Sequence, residues 1–161
     1  MRESLGGSLL LNLVIIFAGL VIIFFISILS YSKAYRVKNR IVEIIEKYGT
    51  YEKLDANGIN VITEELNADL SAAGYETSLP RKCDTIRTRL VNEKYGEGLS
   101  SNLNKTNGYD YCVFEMRSSE NRTGKYYVVV TFIHFEIPIL GDFLTFPVYG
   151  ETKILGKTYD Y

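Results

Sequence analysis

The chain has 161 residues, a length that fits one membrane segment and one head domain of roughly 110–130 residues. Its formal net charge is −1, and so balanced a charge gives no reason to expect a nucleic-acid partner. Thirteen tyrosines and no tryptophan predict a head that is aromatic and polar at once, as in an extracellular or interface-rich β surface.

The first predicted element is an uncharged apolar run over residues 9–29, LLLNLVIIFAGLVIIFFISIL. A helix of about twenty residues, rising about 1.5 Å per residue, spans the roughly 30 Å core of a bilayer. Two alternatives are a cleaved secretory signal and a buried core helix. The run is longer than the apolar part of a usual signal, and a core helix normally keeps one polar side. We therefore expect a single-pass transmembrane helix over residues 8–30.

The helical pattern continues beyond the membrane segment. Apolar residues recur there at alternating spacings of three and four, namely Ala34, Val37, Ile41, Ile44 and Tyr48. Charged residues fill the other faces, namely Lys33, Arg36, Lys38, Arg40, Glu43, Glu46 and Lys47. No proline or glycine interrupts the chain from residue 20 to residue 48, and Gly49 then supplies a stop. We expect residues 31–49 to form an amphipathic extension of the same helix, packed on a head of residues 50–161.

The chain has a short leader ending in glycine (residues 1–7), an apolar helix that starts directly after it, and an amphipathic extension into a small α+β head. In all three features it resembles a type IV pilin-like protein. Among these, the chain most resembles the TadE/TadF-like minor pseudopilins of tight-adherence (Tad) pili. The likeness covers residues 1–49 by motif. It extends more loosely to the C-terminal strands, KYYVVVTFIHFEIPILGDFLTFPVYGETKIL, where that group also has a strand, a bend with proline and a final strand.

The resemblance implies a processing site, an assembly role and a set of partners. A prepilin peptidase would cut after Gly7 and leave Ser8 as the new N-terminus, and other pilin-like subunits would pack against the first helix. The family usually has glutamate at the fifth mature position, where this chain has Asn12. Asparagine can form hydrogen bonds but carries no charge, so this departure favours a minor subunit over the main filament subunit.

The topology signals disagree. Basic residues after the apolar run, Lys33, Arg36, Lys38 and Arg40, outnumber Arg2 before it, and the positive-inside bias would place the head in the cytoplasm. The same residues also fit a solvated face of the helix extension, offset by nearby glutamates. Two cysteines in the head and the resemblance favour the opposite side. We expect a cell-membrane protein with an extracytoplasmic head, as a subunit of a surface filament.

The first part of the head is expected to contain a turn and a second helix. Asn57-Gly58 marks the turn. Asp55 beside it gives a calcium loop as an alternative, but the glycine spacing and the missing glutamate at the twelfth position favour a plain polar turn. Thr63 is expected to cap the helix, and Gly74 to end it. Its predicted apolar stripe consists of Ile62, Leu66, Leu70 and Ala73.

The rest of the head is predicted to be mostly β structure, which makes the fold class α+β. Two short strands are expected at residues 75–79 and 86–91, followed by a mobile loop at residues 96–108 that is rich in glycine and asparagine. Longer strands are predicted at residues 109–118, 125–137 and 143–155, the first two as a hairpin. We expect an antiparallel sheet of three to five strands, packed on the long N-terminal helix and on the second helix.

Few residues suggest chemistry. Cys83 and Cys112 are expected to form a disulfide because they are an even pair in an extracytoplasmic head, with two separate buried thiols as the alternative. His134 lies mid-strand near Glu136, and the default interpretation is a partly exposed strand histidine. No catalytic residue, metal ligand or cofactor is therefore expected.

Three classes of function remain open on the sequence. The first is a structural pilin-like subunit, a minor pilin or pseudopilin of a surface pilus or a type II secretion-like assembly. The second is a membrane-tethered binding module with a tyrosine-rich extracellular head. The third is a small membrane-anchored enzyme or a secreted domain with a cleaved signal. Cleavage after Gly7 separates the first class from the second.

Overall fold

The computed structural model describes residues 2–75, 83–105, 109–117, 124–137 and 141–155, without the side chains of residues 2–6, 134–137 and 141–144. Three α-helices precede three β-strands, in the order α1 (Arg2–Tyr48), α2 (Val61–Ala72), α3 (Cys83–Leu90), β1 (Tyr111–Arg117), β2 (Lys125–Ile137) and β3 (Gly141–Glu151). A π-helical turn (Val91–Tyr95) and a 3₁₀ turn (Gly96–Gly98) follow α3. The expected α+β class, with a long apolar N-terminal helix and a small antiparallel sheet, is confirmed.

Helix α1 runs for 47 residues without a break. It ends as predicted at Gly49, whose φ of +70° is costly for any residue with a Cβ atom. The predicted apolar stripe of the extension is also confirmed, because Ala34, Val37, Ile41 and Ile44 are all buried. The C-terminal half of α1 is therefore part of the head's core.

The sheet is antiparallel throughout, with β2 between β1 and β3. Successive residues of a strand point to opposite faces, and both faces of this sheet are covered. The helix face packs on α1 and α2 through Tyr111, Val113, Tyr127 and Val129. The disulfide face packs on α3 through Cys112, Phe114, Val128, Val130 and Phe132. Because both faces of the sheet are buried, the sequence of β2 is a nearly continuous apolar run and does not alternate between apolar and polar residues.

The strand predictions hold with changes at the ends of β1 and β3. β2 has the predicted bounds, whereas β1 begins two residues later than predicted and β3 begins two residues earlier. β3 ends at Glu151, short of the predicted residue 155. There, the Thr152 hydroxyl accepts the Tyr127 N–H at 2.9 Å, and Leu155 forms a separate bridge to Lys125. The Thr152 N–H still donates to Tyr127 O at 2.9 Å, but the Thr152 side chain takes the place of its carbonyl as acceptor, and the regular strand stops.

One predicted strand is wrong. Residues 86–91 belong to α3 and the π-helical turn, and Cys83, Ile86 and Leu90 are buried at spacings of three and four. The alternation of Ile86-Arg-Thr-Arg-Leu90 imitates a strand when Cys83 is left out of the pattern. The other short strand, at residues 75–79, lies outside the described residues except for Tyr75, which is buried and not in a strand.

The predicted start of the second helix is also wrong. Asn60 is the cap, with its side-chain oxygen accepting the Ile62 N–H at 3.2 Å, so α2 begins two residues before Thr63. Ile62, Leu66 and Leu70 are buried as predicted, but Ala73 is exposed. The expected stop is confirmed, since Gly74 has a φ of +62° directly after the helix.

The predicted loop at residues 96–108 is described as far as residue 105, and this part lies along the free edge of β1. Ser100 donates its N–H to Glu115 O at 2.9 Å, and Leu103 donates to Val113 O at 2.8 Å. Asn104 is buried and donates to Tyr111 O at 2.8 Å. This segment therefore satisfies backbone groups that an open sheet edge would expose.

Candidate functional site

The N-terminal half of α1 is the most unusual surface of the molecule. Residues 7–25 are exposed throughout, although most of them are large and apolar. Among the described residues, one helix is long and apolar enough to cross a membrane, and it is this one. So much contiguous apolar surface marks a contact with lipid or with other proteins. By length and composition the segment fits a single membrane span or a signal sequence.

The predicted processing and assembly residues all lie on this exposed segment. Gly7 and Ser8 are within α1, and a Cβ atom at Gly7 would meet nothing within 4 Å. Asn12 follows about one helical turn later and is exposed. No described residue outside α1 is brought to these three positions, so any partner they bind comes from another molecule. Their predicted roles remain predictions.

The two polar side chains of the apolar run differ in their hydrogen bonding. The Ser27 hydroxyl donates to the carbonyl oxygen of Ile23 at 2.8 Å and so is satisfied within the helix. The Asn12 amide has no hydrogen-bond partner among the described residues. In a bilayer core, where water is absent, an amide without a partner is costly. Of the two, only Asn12 is left without a hydrogen-bond partner by the described part of the chain.

Three of the four basic residues that follow the apolar run, Lys33, Lys38 and Arg40, contact the head. The Lys33 ammonium donates to the carbonyl oxygen of Gly74, where α2 ends and its dipole is negative. Arg40 forms ion pairs with Asp69 at 2.7 Å and with Glu43 at 2.9 Å. The interpretation of this cluster as a solvated helix face is thus incomplete, because the cluster also joins α1 to α2.

Lys38 departs most clearly from the predicted solvated face. Its exposed fraction is 7%, and its ammonium lies 3.8 Å from the centroid of the Tyr35 ring. Its aliphatic stem packs on β3, where a Cβ atom at Gly150 would lie 2.8 Å from Lys38 Cδ. A lysine stem can cover apolar surface in this way while its charged end stays near water. Sequence alone misses this because the contact requires a glycine on a distant strand.

The junction between α1 and α2 is completed by a second polar cluster. Lys47 pairs with Glu65 at 2.8 Å, and the Tyr48 hydroxyl donates to the same carboxylate at 2.6 Å. The hydrogen bond from Lys47, followed by that from Tyr48, holds the pKa of the Glu65 carboxyl below its usual range. The carboxylate therefore stays charged at neutral pH and links the two helices.

The predicted disulfide is confirmed. Cys83 and Cys112 are bonded with their Cα atoms 5.7 Å apart, and both are buried. The bond ties the first residue of α3 to the disulfide face of the sheet at β1. The alternative of two separate thiols is therefore wrong.

The tyrosines that sequence analysis placed on a polar β surface are partly core residues. Tyr51, Tyr75, Tyr111 and Tyr127 are buried. The Tyr51 and Tyr111 hydroxyls lie 3.1 Å apart, which satisfies two polar groups inside the core. The Tyr75 hydroxyl donates to Asp110 O at 2.9 Å, and burial raises the pKa of this phenol. These tyrosines act as polar links between elements, which sequence pattern alone does not reveal.

Features with possible chemistry are sparse in the described part of the chain. Within it, no group of three or more histidine, cysteine, aspartate or glutamate side chains could hold a metal ion. Asp55, the residue that suggested a calcium loop, accepts the N–H groups of Asn57 and Ile59, each at 2.8 Å, and so closes the turn itself. The side chains of His134 and Glu136 lie outside the described ones. The expectation of no catalysis stays a prediction.

Comparisons of the chain with protein-family models, with curated proteins and with solved structures find no match. The resemblance to pilin-like proteins therefore rests on the residues and motifs quoted above. Function has to be argued from the exposed helix and its connection to the head.

Proposed function

We propose that the protein is a membrane-anchored, pilin-like structural subunit, a minor pilin or pseudopilin of a surface pilus or type II secretion-like assembly. It would be held in the cell membrane by one span, with its partners being the membrane, other pilin-like subunits and a prepilin peptidase. One feature carries this proposal, namely the continuity of α1. The same helix presents an exposed apolar half and then becomes the core of the head.

This continuity matters because it couples the two halves rigidly. A simple tether needs only a flexible linker between anchor and domain. Here Ile41, Ile44 and Ile45 bury the same helix under the sheet, with exposed fractions of 0–1%. Packing of the exposed half against other helices would then fix the position of the head as well. Such coupling is expected of a subunit that is stacked by its helix.

Asn12 supports the assembly role. Polar side chains such as asparagine bridge neighbouring helices in membranes, where small polar contacts supply part of the association energy. The Asn12 amide has no partner within the described chain, in contrast to the hydroxyl of Ser27. A backbone or amine group of a neighbouring subunit would satisfy it. Asn12 would then set the register of the helices.

An extracytoplasmic head is favoured by the disulfide, because such bonds persist in oxidising compartments. Three of the four basic residues that argue for the opposite topology have structural partners in the head. Lys33 contacts the end of α2, Lys38 packs on β3, and Arg40 pairs with Asp69. Their positions thus have a cause other than membrane orientation.

The proposal is tested by processing in the native host. We expect intact-mass measurement to show loss of residues 1–7, with Ser8 as the first residue. Gly7→Leu should abolish the cleavage, because the resemblance places the cut after this glycine. Gly6→Leu is the matched control and should still be cut. An uncut wild-type chain in a host with an active prepilin peptidase would contradict the pilin-like proposal.

A membrane-tethered binding module is the second candidate, and one observation favours it. At the end of the head far from the apolar half of α1, Leu54 and Ile59 are 67% and 49% exposed. An apolar pair at such a tip suits contact with another protein. A plain tether would lose no leader, so the same mass measurement separates the two candidates.

A further inference from the structure

The strand β2 runs antiparallel to α1, back towards the apolar half of the helix. At one end, the Tyr127 hydroxyl lies 3.2 Å from Thr50 Oγ1, just past the C-terminus of α1. Farther along β2, the Thr131 hydroxyl donates to the carbonyl oxygen of Ala34 at 3.1 Å. Residues of β2 after Thr131 therefore lie progressively closer to the candidate membrane span.

The β2–β3 hairpin extends well past this contact. Its pairing continues to Ile137, opposite Gly141, and Ile137 is six positions beyond Thr131. At about 3.3 Å per residue, with some inclination to the helix, this amounts to roughly 15–20 Å along α1. The same length of helix contains about 10–13 residues. The described end of the hairpin thus reaches the level of Val21 to Phe24.

The exposure of α1 changes along one side at this level. Ile26, Ser27 and Ser30 are half-buried, whereas residues 7–25 are exposed. Ile23 is 38% exposed and its neighbour Ile22 is 60% exposed. The partly covered positions recur at spacings of three and four and continue into the buried stripe that begins at Ala34. Part of the apolar run is therefore covered by the head, on one face.

The residues at this end of the hairpin are those of a membrane interface. Phe146 is 49% exposed. On β2, the alternate positions 133, 135 and 137 are apolar, and His134 and Glu136 separate them. On α1, just after the apolar run, Tyr31 and Tyr35 are exposed with their ring centroids 5.6 Å apart. Aromatic and amphipathic groups of this kind concentrate where lipid meets water.

We infer that this hairpin end, residues 132–137 and 141–146, lies in the interfacial layer of the bilayer on the head side, with its last residues at the top of the acyl chains, as a second membrane contact beside α1. This inference rests on the proposed membrane span. The interface suits the hairpin better than the centre of the hydrocarbon core does, because β3 lies at the edge of the sheet in the described part of the chain, and backbone groups on that side need water or headgroups.

The occupant of this surface is lipid, for a geometric reason. The hairpin end and the partly covered stretch of α1 lie side by side at one height. If residues 9–25 fill the hydrocarbon core, at about 1.5 Å per residue they span roughly 25 Å. Residues 26–31 then fall in the headgroup region beside the Ile133–Phe146 pair, which lies two positions past Thr131. The last residues of the hairpin, level with residues 21–24, reach the outer part of the acyl chains. The head would rest on the membrane instead of standing clear of it.

Because the chain has no tryptophan, single tryptophan substitutions report one position each. We would reconstitute the full-length chain, with its disulfide formed, in phosphatidylcholine vesicles containing lipids brominated near the top or in the middle of the acyl chain. Phe146→Trp places the probe at the hairpin end. Phe17→Trp is the control within the span, and Leu54→Trp is the control at the distal turn.

We expect Phe146→Trp to be quenched at least twofold more than Leu54→Trp, and most strongly by bromine near the headgroups. Phe17→Trp should be quenched most by mid-chain bromine. If Phe17→Trp is quenched while Phe146→Trp behaves like Leu54→Trp, the interfacial contact is refuted and the membrane span stands. If Phe146→Trp escapes quenching but its emission shifts to the blue with rising protein concentration, the surface binds a second copy, and the inference is wrong. Absence of quenching at Phe17→Trp would overturn the span and the inference together.

Discussion

Removal of the disulfide should release α3 and lower the stability of the head. The bond joins Cys83 to Cys112 across 29 positions. In the chain-entropy model, closure of a loop of this length restricts the unfolded chain by about 3–4 kcal/mol. Helix α3 has eight residues, too few for a stable isolated helix, so it depends on its attachment to the sheet. We therefore expect the double variant Cys83→Ala/Cys112→Ala to be destabilised by about 3–4 kcal/mol.

The measurement is urea unfolding of the full-length chain in detergent, followed by the near-ultraviolet circular dichroism of its tyrosines. With a denaturant dependence of about 1–3 kcal/mol per molar urea, the midpoint should fall by roughly 1–4 M. Reduced wild-type protein is the control, because it keeps both cysteines but lacks the bond. It should unfold close to the double variant. If both forms unfold within about 0.5 kcal/mol of the oxidised chain, the loop is not restricted by the bond, and this reasoning fails.

Three further predictions concern the two halves of α1 and its link to α2. Ile41→Ala should destabilise the head by about 2–4 kcal/mol in the same unfolding assay, because Ile41 is fully buried, whereas Ile22→Ala on the exposed half should have no effect there. The hydrogen bonds from Lys47 and Tyr48 lower the pKa of the Glu65 carboxyl in the folded state. They therefore stabilise the folded state fully at pH values above the ordinary glutamate pKa of about 4.3. This stabilisation is lost as the pH falls through the lower pKa that Glu65 has in the folded state. Unfolding measured between pH 3 and pH 6 should therefore show a smaller loss of stability on acidification for Glu65→Gln than for wild type; equal losses would contradict it. Asn12→Leu should insert normally into the membrane but co-purify with fewer partner subunits than wild type does, whereas Asn12→Glu should co-purify as wild type does. If both variants recover as many partner subunits as wild type, Asn12 has no assembly role.

The long elements of this fold can be predicted from sequence because their patterns are long and unambiguous. The stripe through Val37 and Ile41 continues for several turns, and Gly49 gives α1 a clear end. β2 has thirteen residues rich in β-branched and aromatic types, and its predicted bounds agree with the structure. The disulfide could be predicted because the head has only two cysteines.

Short elements escape prediction because their identity depends on tertiary contacts. In α3, the periodicity is visible only when Cys83 is counted as a buried position together with Ile86 and Leu90. The structure caps α2 with Asn60 instead of the predicted Thr63, and a bridge between Leu54 and Asn60 accompanies the earlier start. Asparagine is the better N-cap of the two, so here the local sequence did contain the signal.

Some features of the candidate site could likewise be predicted from the sequence, and others could not. Composition alone identifies the apolar half of α1 as a membrane or partner surface. Lys38 could not be placed, because its burial depends on Gly150, a residue more than a hundred positions away on β3. The approach of the β2–β3 hairpin to the span likewise follows from strand direction, which the Thr131 contact to Ala34 reveals and the sequence does not.

The central claim is that the exposed half of α1 packs against the helices of other pilin-like subunits, and photo-crosslinking in the native host tests it most directly. A photoreactive phenylalanine analogue would replace Phe17, which is exposed in the middle of the apolar run. We expect irradiation to give adducts with a second protein that carries a pilin-like N-terminal helix, and we expect the uncut Gly7→Leu variant to lose them. Adducts with lipid alone, from correctly processed protein in an assembling host, would contradict the claim.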